Sequence, residues 1–98
     1  MKFSLSFTPS AKASLKNLKE STHLKKTFKA VLKTLKFLQE KQRHPSLQTH
    51  EYTSFRGPTD EKIFEAYAEQ NTPAAYRIFF FYGKQKGELV IFAITPHP

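Results

Sequence analysis

Cysteine is missing from this chain of 98 residues. That excludes disulfides and thiolate-based zinc sites, and it is compatible with a reducing cytoplasm. Long apolar runs are missing too: none approaches the roughly 20 residues that a membrane-spanning helix needs. The N-terminus alternates Phe3, Leu5 and Phe7 with polar residues and has no continuous apolar segment, so it does not read as a signal peptide. There is no phosphate-binding loop, no glycine-rich nucleotide motif and no Ser/His/Asp set. Acid is scarce, with eight Asp and Glu against sixteen Lys and Arg, giving a net charge of +8 and a pI near 9.8.

The positive charge is compatible with a solvated lysine-rich surface, or with a polyanionic partner: nucleic acid, an anionic membrane or an acidic protein. It is unevenly placed. Lysines crowd positions 12–41, whereas five of the eight acids lie between Glu51 and Glu69. Tryptophan is absent, but ten phenylalanines and four tyrosines point to an aromatic-rich core. The length suits one domain over residues 1–98, with a core that buries roughly two-thirds of the unfolded surface.

Residues 2–7 alternate like a strand. Thr8 is a suitable N-cap and Pro9 suits the first helical position. Ala11, Leu15 and Leu18 then make an apolar stripe, with Lys12, Lys16 and Lys19 on another face. Ser21-Thr22 breaks the pattern and offers a second cap. The spacing of Leu24, Phe28, Val31, Leu35 and Leu38 predicts a second helix over 24–42. Leu32 falls on its margin, Phe37 falls off the stripe and is expected to be exposed, and Lys25, Lys29, Lys33 and Lys36 form a separate stripe. These lysines are either solvated helix faces or phosphate contacts. His44-Pro45 ends the helix, and residues 45–60 read as a long loop. Three strands follow, over 62–69, 75–82 and 88–95, with turns at Asn71-Thr72-Pro73 and Gly83–Gly87. Short connections predict an antiparallel meander.

The fold class is therefore α+β, in the order β-αα-βββ, with a helix hairpin on one face of an antiparallel sheet. Strand 75–82 is apolar on both faces. Tyr76, Ile78, Phe80 and Tyr82 should face the helices, and Ala75, Arg77, Phe79 and Phe81 the open side. Phe79 and Phe81 would then be exposed unless something covers them, the mark of an interaction surface. Arg77 in such a strand needs a reason, since an unpaired buried cation is costly. It can bind a phosphate, or pair with Glu65 or Glu69. His97, near the end of the last strand, can move a proton near neutral pH, or be merely solvated. His44 and His50 lack a third ligand at metal-binding spacing and read as loop-ordering residues. No metal and no cofactor are expected.

The order of these pieces resembles the RelE/ParE superfamily of toxin–antitoxin toxins over nearly the whole chain. The resemblance rests on the opening strand, the Leu- and Lys-rich hairpin, the His-Pro-Ser-Leu-Gln-Thr-His stretch at 44–50, the Ala-Tyr-Arg-Ile strand at 75–78 and the terminal His. The RelE branch cleaves mRNA in the ribosomal A site. The ParE branch poisons DNA gyrase without nuclease chemistry. Both are neutralised by an antitoxin segment that wraps the toxin.

The resemblance implies a cytoplasmic endoribonuclease whose partners are an antitoxin, the ribosome and mRNA. Arg77 matches the phosphate-binding Arg. His97 matches the general acid of YoeB-like members, although Pro98 stands where those have Tyr. Glu65 lies on the strand that supplies their catalytic Glu and would act as base, or else is a surface carboxylate. The lysines of both helices would contact ribosomal RNA, and Phe79 and Phe81, with Arg77, an acidic antitoxin segment. A gyrase-binding toxin of the ParE type and a catalytically degenerate homologue are the alternatives.

Overall fold

The structure is a computed structural model that describes residues 2–69 and 74–97. The expected turn at 71–73, and Pro98, lie outside the described residues. In chain order the elements are β1 (Ser4–Phe7), α1 (Pro9–Glu20), α2 (Lys25–Glu40), a 3-10 turn (Pro45–Leu47), β2 (His50–Arg56), β3 (Lys62–Tyr67), β4 (Tyr76–Tyr82) and β5 (Glu88–Pro96). The five strands form one sheet in the order β1-β5-β4-β3-β2.

Thr8 connects local sequence to the tertiary fold. Its hydroxyl accepts the Ala11 N–H at 3.2 Å, capping α1, and donates to the Phe92 carbonyl of β5 at 2.8 Å. Pro9 follows at the first helical position, where its missing N–H costs nothing. α2 begins less firmly than expected. Its N-cap is Leu24, with no side-chain hydrogen bond, so Ser21-Thr22 ends the first helix without capping the second. Phe37 is half-buried rather than exposed, because its ring stacks on His44 at 4.3 Å.

The apolar stripes of both helices pack as their periodicity requires. Ala11, Leu18, Val31, Leu35 and Leu38 meet Ala66, Ile78, Phe80, Leu89, Ile91 and Ile94 of the sheet, with Leu15 and Phe28 packed beside them. Each fully buried side chain of this size contributes roughly 1.5–3 kcal/mol.

Two expectations are corrected. The sheet is mixed: β2 to β5 are antiparallel neighbours, but β1 lies parallel to β5, with Ser4 opposite Glu88 and Phe7 opposite Ile91. Short connections decide only the pairing of consecutive strands, and β1 is separated from β5 by the rest of the fold. The second correction is β2, which occupies much of the expected loop 45–60 and adds a fifth strand. Its polar residues and broken alternation hide it in the sequence. Tyr52 pairs with Ile63 and Arg56 with Lys62, so Thr53, Ser54 and Phe55 bulge out against a single step of β3.

A second bulge, on β5, sets the phase of the site. Phe79 pairs with Ala93 but Phe80 with Ile91, leaving Phe92 as an extra residue. Phe92 and Ala93 consequently both join the non-helical face, while Ile94 returns to the helical core. Simple alternation would have put Thr95 and His97 in phase with Leu89 and Ile91, toward the helices. The bulge reverses that phase.

Candidate functional site: a buried ion-pair cluster at an aromatic groove

The non-helical face carries a second cluster of Ile63, Phe79 and Phe81, flanked by Tyr52, Val90, Phe92 and Ala93. The bulge of β2 brings Phe55 over it. Phe55 lies 5.0 Å from Tyr52, 5.6 Å from Phe79 and 5.8 Å from Phe92 between ring centroids. Phe79 and Phe81 are thus buried, at 3% and 6% exposure, under the chain's own aromatics. This corrects the expectation that they stand open for an antitoxin. What the groove exposes instead is Phe55, at 37%.

Glu65 is the centre of the polar part. It is 2% exposed, not a surface carboxylate. Arg77 donates from Nη1 to its Oε2 at 2.8 Å, and His50 Nε2 meets its Oε1 at 2.8 Å. The register explains both contacts. His50 is directly opposite Glu65 on β2, and Arg77 sits diagonally across on β4, two residues from Glu65's partner Phe79. The other ring nitrogen of His50 faces the Gln48 carbonyl at 2.9 Å. Gln48 itself has a left-handed backbone, with φ 49°, which turns the chain into β2.

Tyr67 completes the cluster. Burial pushes its phenol above the usual tyrosine range, and the Glu65 charge and a hydrogen bond to Glu65 act in the same direction. Arg77 opposes that shift but does not cancel it.

Arg77 does pair with Glu65, as one sequence reading allowed, yet it still reaches the groove. Its side chain is 13% exposed, and its guanidinium lies 4.8 Å over the Phe79 ring and 5.8 Å from the Tyr52 ring. Its Nε is buried with no hydrogen-bond partner among the described residues. The groove has a volume of about 720 Å³, and its lining includes Arg77, Tyr52, Phe55 and Thr95 together with Ser14 and Asn17 of α1. β1 pairs only with Glu88–Ile91, so α1 runs beside the rest of β5 and supplies part of that lining.

His97 is exposed, and its N–H donates to the Ala75 carbonyl at 2.8 Å. That bond continues the β4–β5 register in which Arg77 faces Thr95, so His97 lies in the phase of Arg77. Glu65 is 2% exposed, with one oxygen on His50 and the other on Arg77. It positions Arg77 and His50.

His50 was missed as a member of this cluster because its strand was read as loop; only its sequence position relative to Glu65 on a paired strand could have marked it. His44 and His50 do not come together, since His44 stacks on Phe37 while His50 joins Glu65.

Lys12, Lys16, Lys19, Lys25, Lys29, Lys33 and Lys36 are all exposed, and none lines the Arg77 groove. The first three border a separate depression of about 880 Å³ on the helix hairpin, floored by Phe7, Leu15, Phe28 and Leu32. Among the described residues no helix is long and apolar enough to cross a membrane.

This fold is shared with solved structures of RelE and YoeB. The archaeal RelE–RelB complex from Pyrococcus horikoshii superposes with a TM-score of 0.65 at 11% identity, over 98% of this chain and 96% of that one. The YoeB dimer from Staphylococcus aureus superposes with a TM-score of 0.65 at 14% identity, over the full length of both chains. No family model matches the chain, and no curated protein matches it by sequence.

Proposed function

We propose that this chain is the toxin of a toxin–antitoxin pair, a cytoplasmic endoribonuclease that cleaves mRNA on the ribosome. The observation that carries the reading is Arg77, a cation held over aromatic rings at the wall of an open groove, in phase with His97 on the next strand. The reaction is attack of a ribose 2′-hydroxyl oxygen on the adjacent phosphorus, its proton passing to water, while the bond to the 5′-oxygen breaks. Arg77 stabilises the charge that builds on the phosphorane oxygens. His97 gives a proton to the departing 5′-oxygen. Glu65 fixes the Arg77 guanidinium, so that its free edge is preorganised rather than mobile. The exposed lysines of α1 and α2 supply contacts to ribosomal RNA phosphates, which position without reading sequence. An acidic antitoxin segment complements the +8 charge and holds the toxin inactive.

A second reading has an observation of its own. Glu65 already neutralises Arg77 at 2.8 Å, which suits a toxin that binds a target such as gyrase without cutting RNA.

Primer extension on a reporter mRNA with translating ribosomes separates the two. Wild type should cut at A-site codons, and Arg77→Lys, which retains the ion pair, should lose most of that cutting along with the planar fork that fits a phosphate. His97→Ala should slow cleavage roughly 10²-fold, the scale of a lost general acid. Intact mRNA together with inhibited gyrase supercoiling would favour the second reading. Harmless expression with neither effect would sink both.

A further inference from the structure

Phe55 is an aromatic side chain that the fold leaves 37% exposed, on a bulge of an edge strand whose other residues are mostly polar. It is nevertheless held in place. Tyr52 meets it edge-on at 5.0 Å, and both rings rest on Phe79, at 5.6 Å and 4.9 Å. The Arg77 guanidinium lies on that same Phe79 ring at 4.8 Å. A cation and a partly exposed, immobilised ring therefore pack on one shared residue, Phe79. The same groove is lined by Ser14 and Asn17, a hydroxyl and an amide that can bond ribose and phosphate oxygens.

We propose that Phe55, backed by Tyr52, is a base-stacking shelf, and that the groove takes an unpaired ribonucleotide with its phosphate at Arg77 and its base on Phe55. The inference rests on the phosphate role given to Arg77 above and adds what holds the base. Stacking on an aromatic ring needs a base free of its duplex, and it tolerates any base because every base has a flat face. A duplex offers no such face. An acidic peptide would satisfy Arg77 but would leave the exposed ring of Phe55 without a flat partner.

The test is binding of labelled short oligoadenylate to the whole protein, beside an abasic strand with the same number of phosphates. Phe55→Ala should bind oligoadenylate roughly 10-fold more weakly than wild type, with binding of the abasic strand unchanged. Phe55→Trp should restore affinity, and bound bases should quench its fluorescence. Thermal melts of both variants check that they fold. Equal affinity of Phe55→Ala and wild type for oligoadenylate would overturn the proposal. An equal loss for both strands would also overturn it, as would Phe55-dependent binding of an acidic peptide with no binding of oligoadenylate. Because the readout is binding, the two readings fail separately. A protein that binds through Phe55 but cuts no mRNA keeps the shelf and loses the nuclease. One that cuts mRNA while indifferent to Phe55→Ala loses the shelf alone.

Discussion

The two faces of the sheet are built from different materials. The helix-covered face is an apolar core of buried Leu, Ile, Val and Ala around Phe80, with Phe28, Phe64 and Tyr76 packed against it. The other face is a thin aromatic layer, with Glu65 and Arg77 buried in it and no helix over it. The first holds its shape through area removed from water, which no single polar contact decides. The second depends on a charged cluster in which each member satisfies another, so the loss of one strands the rest. The chemistry proposed for this chain is placed on the second face, where Arg77 is held by Glu65 at the wall of the groove.

The largest effect should come from the helix-covered face. Phe80→Ala removes a fully buried ring and should cost about 3–5 kcal/mol in denaturant unfolding. A loss under about 1 kcal/mol would mean that the helices are not packed as described. On the other face, Glu65→Ala should cost about 3 kcal/mol, because Arg77 is left buried without its carboxylate. The comparison sharpens with the double variant Glu65→Leu with Arg77→Met. It should recover much of that loss, since a buried ion pair replaced by apolar groups is often neutral. No recovery would show that the cluster contributes more than mutual compensation.

A smaller effect concerns pH. Tyr67 titrates above its ordinary range in the folded state, so its contribution is fully present below about pH 10. It is lost as pH rises through the folded value, when a phenolate would face Glu65. Tyr67→Phe should therefore flatten the alkaline fall in melting temperature and cost about 1 kcal/mol at neutral pH, where its hydrogen bond to Glu65 is lost. An unaltered alkaline slope would count against the cluster. The smallest effect is expected at Lys29, an exposed residue of α2. Lys29→Gln should change stability by no more than about 0.5 kcal/mol. It should weaken ribosome association with a shallower salt dependence, checked by sedimentation across ionic strengths.

Much of the first face was legible in the residues themselves. Leu18, Val31, Leu35 and Leu38 recur at helical spacing, and the alternation of Ile78 and Phe80 against Arg77 and Phe79 assigns each side of β4 correctly. The second face was legible only in part. Arg77 and Glu65 were visible as candidates, but Glu65's burial was not, because it comes from Tyr67, His50 and Arg77 closing around it. His50 and Phe55 were hidden in a segment whose Pro, Ser, Thr and Gly residues read as loop. Their strand exists through its pairing with β3, a non-local contact that local propensity does not carry.

What the sequence determined by itself was the helix hairpin, the strands β1, β3, β4 and β5, the helical side of the sheet and the basic surface, since these follow from periodicity and charge. What only the tertiary structure decided was the parallel seat of β1, the fifth strand and the two bulges. A bulge depends on how many residues two paired strands spend over the same span. On β5 one extra residue brings His97 into phase with Arg77, and on β2 three extra residues lay Phe55 over Phe79.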